Sequence, residues 1–468
     1  MVGQIGSYAI RLVSTVVLAR MLTPSDYGLV AMVAVVTHFI ALFSDMGLSM
    51  STVQQDKITH QQVSNLFWIN ILVTSCLGIV LALSAPLIAW FYQDPRITAI
   101  TLWTAATFPL SGLTLQHYAI LKRQMRFAAI SRIQLASMAM SVAAALIGAW
   151  LGLGYWALIV MSISGLLCAV PMVWATTRWT PGWFTTHQGT RAHLAFGGYL
   201  TGSNVAGYVF RNMDRILIGK FCTARELGLY DRAYQLLMLP LSQFVYPLAG
   251  LATPVLSRLQ KEPERYRKVY LEMQEKMCFV ISPVIGVILA YNDWIIKLIL
   301  GDQWLGASSI FAWLSLIGIL QATLGMVGSL FISQGRVKES LWWQIVTSIM
   351  ATLSFIIGLP WGAKGVAISY SLSGLFLRVP LYIWWAGRKG PVSTFDIARP
   401  VVLFALYGFV LALLFYFIRT WLALDYSFSM SIGAVSVSTA VSYAAYYSIP
   451  KTRRILREIL MYRTLSVK

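Results

Sequence analysis

RLVSTVVLARMLTPSDYGL, residues 11–29, recurs as RNMDRILIGKFCTARELGL, residues 211–229. At a constant offset of 200, Arg11 matches Arg211, Arg20 matches Lys220, Thr23 matches Thr223, Asp26 matches Glu226, and Gly28-Leu29 match Gly228-Leu229. A second pair follows: SISGLLCAVP (162–171) and SLSGLFLRVP (371–380), at an offset of 209, so the later copy carries nine more residues. Chance likeness between apolar segments is the alternative. Two matches in the same order, at nearly one offset and each with polar identities, point instead to a duplication.

The duplicated unit is built of apolar runs. Charged residues make up 11% of the 468, against about 25% in a soluble domain, too few to cover a surface facing water. The runs are about 20 residues long, enough for a helix to cross about 30 Å of hydrocarbon. In hydrocarbon the backbone must pair within its own segment, which selects helices. The alternating ten-residue pattern of a membrane barrel is absent. Fourteen spans are predicted: 2–20, 27–50, 66–92, 99–121, 128–149, 154–176, 194–220, 229–256, 277–300, 307–333, 341–360, 364–386, 398–418 and 427–449. The chain is thus expected to be an all-α integral membrane protein with short loops and no soluble domain. The longest loop is expected from about Ser257 to Lys276, where charge is dense.

The first match pairs span 1 with span 7, and the second pairs span 6 with span 12. A shift of six spans preserves direction, so the halves are parallel repeats, as in two-bundle transporters that rock about a central path. The expected organisation is a six-helix bundle over 1–190, a second over 191–390, and two additional helices with a basic tail over 391–468.

The net charge is +19. Most of it lies between apolar runs, where it sets topology rather than a nucleic-acid surface. One side carries 24 of the 36 Lys and Arg, including Lys57, the Lys122–Arg132 cluster, Arg178, Arg191, Arg336, Lys338 and the tail from Lys451. The other carries eight, among them Arg20, Arg96, Lys220 and Arg419. The positive-inside rule places the first side, and both termini, in the cytoplasm. The first run contains Arg11 and ends at Arg20 without a small-residue cleavage site, so it reads as a span and not a cleaved signal. The four cysteines show no CxxC spacing, and neither a metal site nor a disulfide framework is indicated.

Four basic residues lie inside spans: Arg11, Arg211, Arg215 and Arg378. Ionisable groups there are costly and mark polar cavities or partners. Gln4, Ser7, Arg11 and Ser14 form one stripe on span 1; Asn204, Tyr208, Arg211 and Arg215 form its counterpart on span 7. Arg11, Arg211 and Arg215 are the candidates for a cationic cavity that grips phosphate or carboxylate. Asp214 is a candidate for balancing that charge, and Asp45 either couples protons or caps a neighbouring helix. Arg378 either faces the cavity or snorkels to the interface. Pro240, Pro247 and Pro254 recur every seven residues along span 8. There is no GxxxxGK[ST] loop and no metal-ligand cluster, so neither a built-in ATPase, a cofactor nor enzymatic chemistry is expected.

LARMLTPSDYGLVAM and SDMGLSMSTVQQ, with RNMDRILIGKF, ELGLYDRAYQLLMLPLSQF and TPVLSRLQ in the second half, resemble Wzx-type polysaccharide flippases. The likeness extends to lipopolysaccharide and colanic-acid exporters of the WzxC kind. It covers most of the chain, is densest in spans 1–2 and 7–8, and departs from the family pattern at the start, where a short cytoplasmic segment is missing. It implies a bacterial inner-membrane protein that translocates undecaprenyl-diphosphate-linked oligosaccharide for exopolysaccharide or lipopolysaccharide synthesis. The resemblance implies alternating access around a cationic cavity, with membrane lipids as partners and a polysaccharide polymerase and assembly proteins as candidate partners. The alternatives are a cation-coupled multidrug antiporter of the same superfamily, which favours an acidic cavity, and a membrane glycosyltransferase or polymerase. The latter would need carboxylates such as Asp94, Glu226, Asp231, Asp302 and Asp425 in loops too short to fold a site.

Overall fold

The computed structural model describes residues 2–45, 47–55, 58–185, 207–242, 246–421 and 427–448. Lys57, Arg191, Asn204, Asp425, the basic tail and the side chains of Gln4 and Pro247 lie outside the described residues. Every regular element among those described is helical. Seven helices among them are long and apolar enough to cross a membrane. The chain forms two compact units, Met1–Gly228 and Leu229–Lys468.

The first unit contains α1 (Val2–Met21), α2 (Pro24–Ala41), α3 (Leu48–Gln54), α4 (His60–Tyr92), α5 (Arg96–Ala105), α6 (Thr107–Arg123), α7 (Phe127–Trp150), α8 (Trp156–Thr177) and α9 (Met213–Phe221). A turn at Asn212 separates α9 from helical residues 207–211. The expected span 99–121 is broken at Ala106. Pro109 has no N–H to offer the Ala105 carbonyl. That carbonyl instead packs on Gly78 of α4, where an added methyl would lie 3.0 Å away.

α10 (Ala224–Pro240) runs across the division. The second unit continues with α11 (Tyr246–Arg258), α12 (Pro263–Ala290), α13 (Asn292–Ile299), α14 (Gly306–Ser333), α15 (Val337–Gly358) and α16 (Gly362–Ser373). A π-turn over Gly374–Arg378 leads to α17 (Val379–Gly387), α18 (Thr394–Trp421) and α19 (Phe428–Ser448). The charged stretch expected as a long loop is a correction to the sequence reading. From Pro263 onward it is the first half of the 28-residue α12. Tyr266, Tyr270 and Gln274 recur every four residues and are buried, which sets the charges on the opposite, solvated face. Tyr266 Oη bonds Ser333 Oγ at 2.6 Å.

The duplication is visible in local geometry. Thr23 and Asp26 cap α2 reciprocally: the Thr23 N–H donates to Asp26 Oδ2 (2.9 Å) and the Asp26 N–H to Thr23 Oγ1 (3.3 Å). Thr223 and Glu226 make the same two bonds at 3.2 Å each. Both are capping boxes of the T-x-x-[DE] kind. Further on, Gln124-Met125-Arg126 and Gln334-Gly335-Arg336 form matching turns, with φ of +54° at Met125 and +71° at Gly335. Arg126 Nη1 donates to the Thr176 carbonyl at 3.2 Å, and Arg336 Nη1 to the Ala386 carbonyl at 3.0 Å. Arg126 thereby ties the start of α7 to the end of α8, and Arg336 the start of α15 to the end of α17.

α18 is held at both ends. Arg267 of α12 pairs bidentately with Asp396 (2.8 and 2.6 Å). Arg419 pairs bidentately with Asp293 of α13 (2.7 and 2.6 Å).

Candidate functional site

The sequence candidates Arg11, Arg211, Arg215, Asp214 and Asp45 all fall in the first unit. Arg11 is exposed halfway along α1, and its guanidinium meets no hydrogen-bonding or ionic partner among the described residues. Its carbonyl accepts from Thr15 Oγ1 in the usual helix-back fashion. Arg211 is exposed too and has no hydrogen bond or ion pair to a described residue. It folds over Gly207, whose missing side chain leaves room for it: a methyl there would lie 3.3 Å from Nη1. Arg215 is half-buried and donates to Asn212 Oδ1 at 2.8 Å. Asp214 is buried, and its Oδ1 accepts the Arg215 backbone N–H at 2.8 Å.

Asp45 sits at the start of α3, where its Oδ1 accepts from the Ser49 N–H (3.0 Å) and Oγ (2.6 Å). That is a cap. Arg378 is buried in the second unit, 4.0 Å from the Tyr370 ring, with Nη2 on the Tyr370 carbonyl at 2.6 Å. Its guanidinium thus turns back onto the residues that precede it in the chain. His117 is buried, bonded through Nδ1 to Thr177 Oγ1 (2.8 Å) and packed 4.5 Å from the Trp174 ring.

An apolar cavity of about 430 Å³ lies beside Arg211 and Arg215. It is walled by Val35 and Phe39 of α2, Ile88 and Phe91 of α4, and Tyr208 and Ile216 from the arginines' own helical stretch. Tyr208 Oη donates to the Val35 carbonyl at 2.9 Å. Lys220 caps the same region, with Nζ on the Phe91 carbonyl at 2.5 Å and 4.9 Å from that ring. In the adjoining loop Arg96 bonds Asp94 at 3.0 Å and holds its carboxyl below the usual carboxylate range.

At the start of α2 two backbones touch. A methyl on Gly28 would lie 2.5 Å from the Ala224 carbonyl carbon and closer still to its oxygen. A methyl on Gly228 would lie 2.8 Å from the Pro24 carbonyl carbon and 3.1 Å from Gly28 N. The contact is reciprocal: each glycine meets the residue four before the other. Only glycine allows this approach, in which Cα–H groups point at carbonyl oxygens. The repeat had displayed both glycines, but their mutual contact required the fold. The clamping roles of Arg126 and Arg336 were likewise hidden, since in sequence they count only as topological charge.

The profile of the "Polysaccharide biosynthesis protein" family matches residues 17–309. The chain belongs to that family. Among curated members of polysaccharide pathways, the teichuronic acid biosynthesis protein TuaB of Bacillus subtilis is 28% identical over 76% of this chain and 74% of its own. The lipopolysaccharide biosynthesis protein WzxC of Escherichia coli is 20% identical over 79% of this chain and 75% of its own. The polysaccharide biosynthesis family member also shares its fold with the lipid II flippase MurJ in an inward closed conformation. The TM-score there is 0.73 at 14% identity, covering 96% of this chain and 98% of that one. It is a multi-pass membrane protein.

Proposed function

We propose that the chain is a flippase that carries lipid-linked oligosaccharide across the bacterial inner membrane for surface-polysaccharide synthesis, and makes or breaks no bond in its cargo. One observation carries the mechanism. Arg11 and Arg211 occupy equivalent repeat positions, Arg11 halfway along α1 and Arg211 just before the turn at Asn212, both exposed and without a hydrogen bond or ion pair to a described residue. A guanidinium left so at membrane depth is costly unless it awaits an anion. The diphosphate of a polyprenyl-linked sugar is such an anion, and two arginines can share it bidentately. Arg215 adds charge on the same stretch, and Asp214 tempers it. The apolar cavity beside Arg211 offers an adjoining surface for the first units of a prenyl tail.

The excess of Lys and Arg in one set of loops supports a cytoplasmic location for both termini. The Gly28–Gly228 crossing then lies toward the outer end. Release outside requires Pro24–Gly28 to part from Ala224–Gly228, and rocking of the repeat-related bundles, 1–190 against 191–390, supplies that movement. Asp45, spent on a cap, offers no acidic cavity for cationic drugs. A polysaccharide polymerase and other assembly proteins are the natural recipients of the released head.

The test is Arg11→Ala, Arg211→Ala and the double variant at equal membrane abundance. Surface polysaccharide should fall in each single variant and be lost in the double. Normal polysaccharide in all three would sink the cationic-cavity mechanism.

A further inference from the structure

A second cavity lies wholly inside the first unit, between α2, the α5–α6 break and α8, with a volume of about 300 Å³. Its polar lining is Thr37, His38, Ser44, Thr104, Thr107, Ser111 and Ser162, and no lining residue is a carboxylate, lysine or arginine. Five of the six lining hydroxyls are already committed as donors. Thr37 Oγ1 donates to the Val33 carbonyl (2.9 Å), Thr104 to Ile100 (2.7 Å), Thr107 to Thr104 (2.6 Å), Ser111 to Phe108 (2.7 Å) and Ser162 to Leu158 (3.2 Å). With those five protons on their own helices, what remains of these groups for a ligand is lone pairs, while Ser44 Oγ and the His38 ring add donor capacity. The cavity is rich in acceptors.

The duplicated half shows that the architecture does not require this polarity. At an offset of 200, Thr37 and His38 correspond to Leu237 and Met238. Counting back from the matched Gln-x-Arg turns, at an offset of 210, Thr104 and Thr107 correspond to Leu314 and Ile317. Leu237, Leu314 and Ile317 are all buried. Leu237 packs on Gly318, with Cδ1 2.9 Å from where a methyl would lie, and Ile317 packs on Gly374. At three of these positions the second copy carries hydrocarbon where the first carries oxygen, while Ser111 and Ser162 have polar counterparts in Gln321 and Ser371.

We propose that this cavity binds a neutral glycosyl group, and, resting on the flippase reading, that the group is a sugar of the lipid-linked head. Several features select that chemistry. A diphosphate finds no lysine or arginine in the lining. A bare alkali ion is too small for a space of about ten water volumes. A pyranose presents several O–H donors to the acceptor array, and its C–H faces suit the apolar walls such as Val33, Ile100 and Phe108. The arginines then hold the diphosphate while the cavity reads the sugar.

The test transplants the second half's residues: Thr37→Leu, Thr104→Leu and Thr107→Ile together, in full-length protein in proteoliposomes. The probes are a polyprenyl diphosphate carrying one neutral hexose, and the same lipid carrying none. The variant should move the sugar-bearing lipid about tenfold more slowly, the worth of one good hydrogen bond. It should move the bare lipid at the wild-type rate and unfold at no lower temperature. Equal rates for both lipids in variant and wild type, or equal slowing of both, would overturn the assignment. Arg11→Ala with Arg211→Ala should slow both lipids alike, which separates failure of the cavity from failure of the flippase reading. Wild-type protein that moves neither lipid would overturn both. Excess free disaccharide should leave the wild-type rate unchanged; inhibition that the triple variant escapes would assign the cavity to free sugar and overturn the lipid-linked source.

Discussion

Thr37, Thr104 and Thr107 in the first half stand where Leu237, Leu314 and Ile317 stand in the second, while the capping boxes and Gln-x-Arg turns of the two halves are the same. The duplication kept what shapes the helix ends and let the interiors diverge. Caps and turns satisfy backbone groups that any copy must satisfy, so they persist. Interior side chains need only fill space, and one half has left that space unfilled. A shared frame with unequal contents divides labour between bundles that remain mechanically alike.

The largest effect is expected where the halves are most alike. Gly28→Ala and Gly228→Ala each place a methyl on a backbone carbonyl, so both should abolish export while the protein remains in the membrane. Polysaccharide assays beside immunoblots of membranes read this, and a clear difference between the two variants would break the equivalence of the crossing. Next, the interiors should respond oppositely. Leu237→Thr removes packed hydrocarbon and should cost about 3 kcal/mol; Thr37→Leu fills open space and should stay within about 1 kcal/mol of wild type. Thermal unfolding in one detergent measures both, and similar losses would show that the first cavity is a packing defect.

Smaller differences separate the paired turns. Arg336 reaches the Trp385, Ala386 and Lys389 carbonyls and also Glu339 Oε2 at 2.9 Å. Arg126 reaches the Thr176 carbonyl and, weakly at 3.4 Å, Gln124 Oε1. Arg336→Gln should therefore cost about 2 kcal/mol and Arg126→Gln about 1 kcal/mol, and the reverse order would refute the comparison. The smallest effect belongs to Asp94→Asn. Its partner Arg96 is half exposed, so the pair contributes at most about 0.5 kcal/mol. Because the folded pKa lies below the usual value, that contribution is full above the ordinary carboxylate pKa and is lost as pH falls through the folded one. Unfolding followed from neutral to acid pH should show the mutant and wild type converge.

The helical membrane architecture and the duplication were legible because both leave long-range signals: apolar runs of fixed length, and polar identities at a fixed offset. The charged stretch 263–276 misled because charge density outweighed the four-residue spacing of Tyr266, Tyr270 and Gln274. The break at Ala106 had its signal in Pro109, yet a proline in a membrane helix produces anything from a slight bend to a full interruption. The mid-span arginines stood out by type alone. The hydroxyl cavity did not, since threonines and serines scatter through membrane helices and only tertiary contact gathers Thr37, Thr107 and Ser162 from three helices. Its one sequence trace is Thr104, Thr107 and Ser111, a helical i, i+3, i+7 stripe.

The ion pairs at Asp396 and Arg419 lie 23 residues apart on α18, about 35 Å of helix. A free helix meets a thicker or thinner bilayer by changing its tilt. This one is riveted to α12 at one end and α13 at the other, so tilting would have to break a bidentate pair. The second unit therefore presents the bilayer with a fixed hydrophobic height. In a membrane of unmatched thickness it is the lipid that must stretch or compress, and the transport rate inherits a dependence on acyl-chain length.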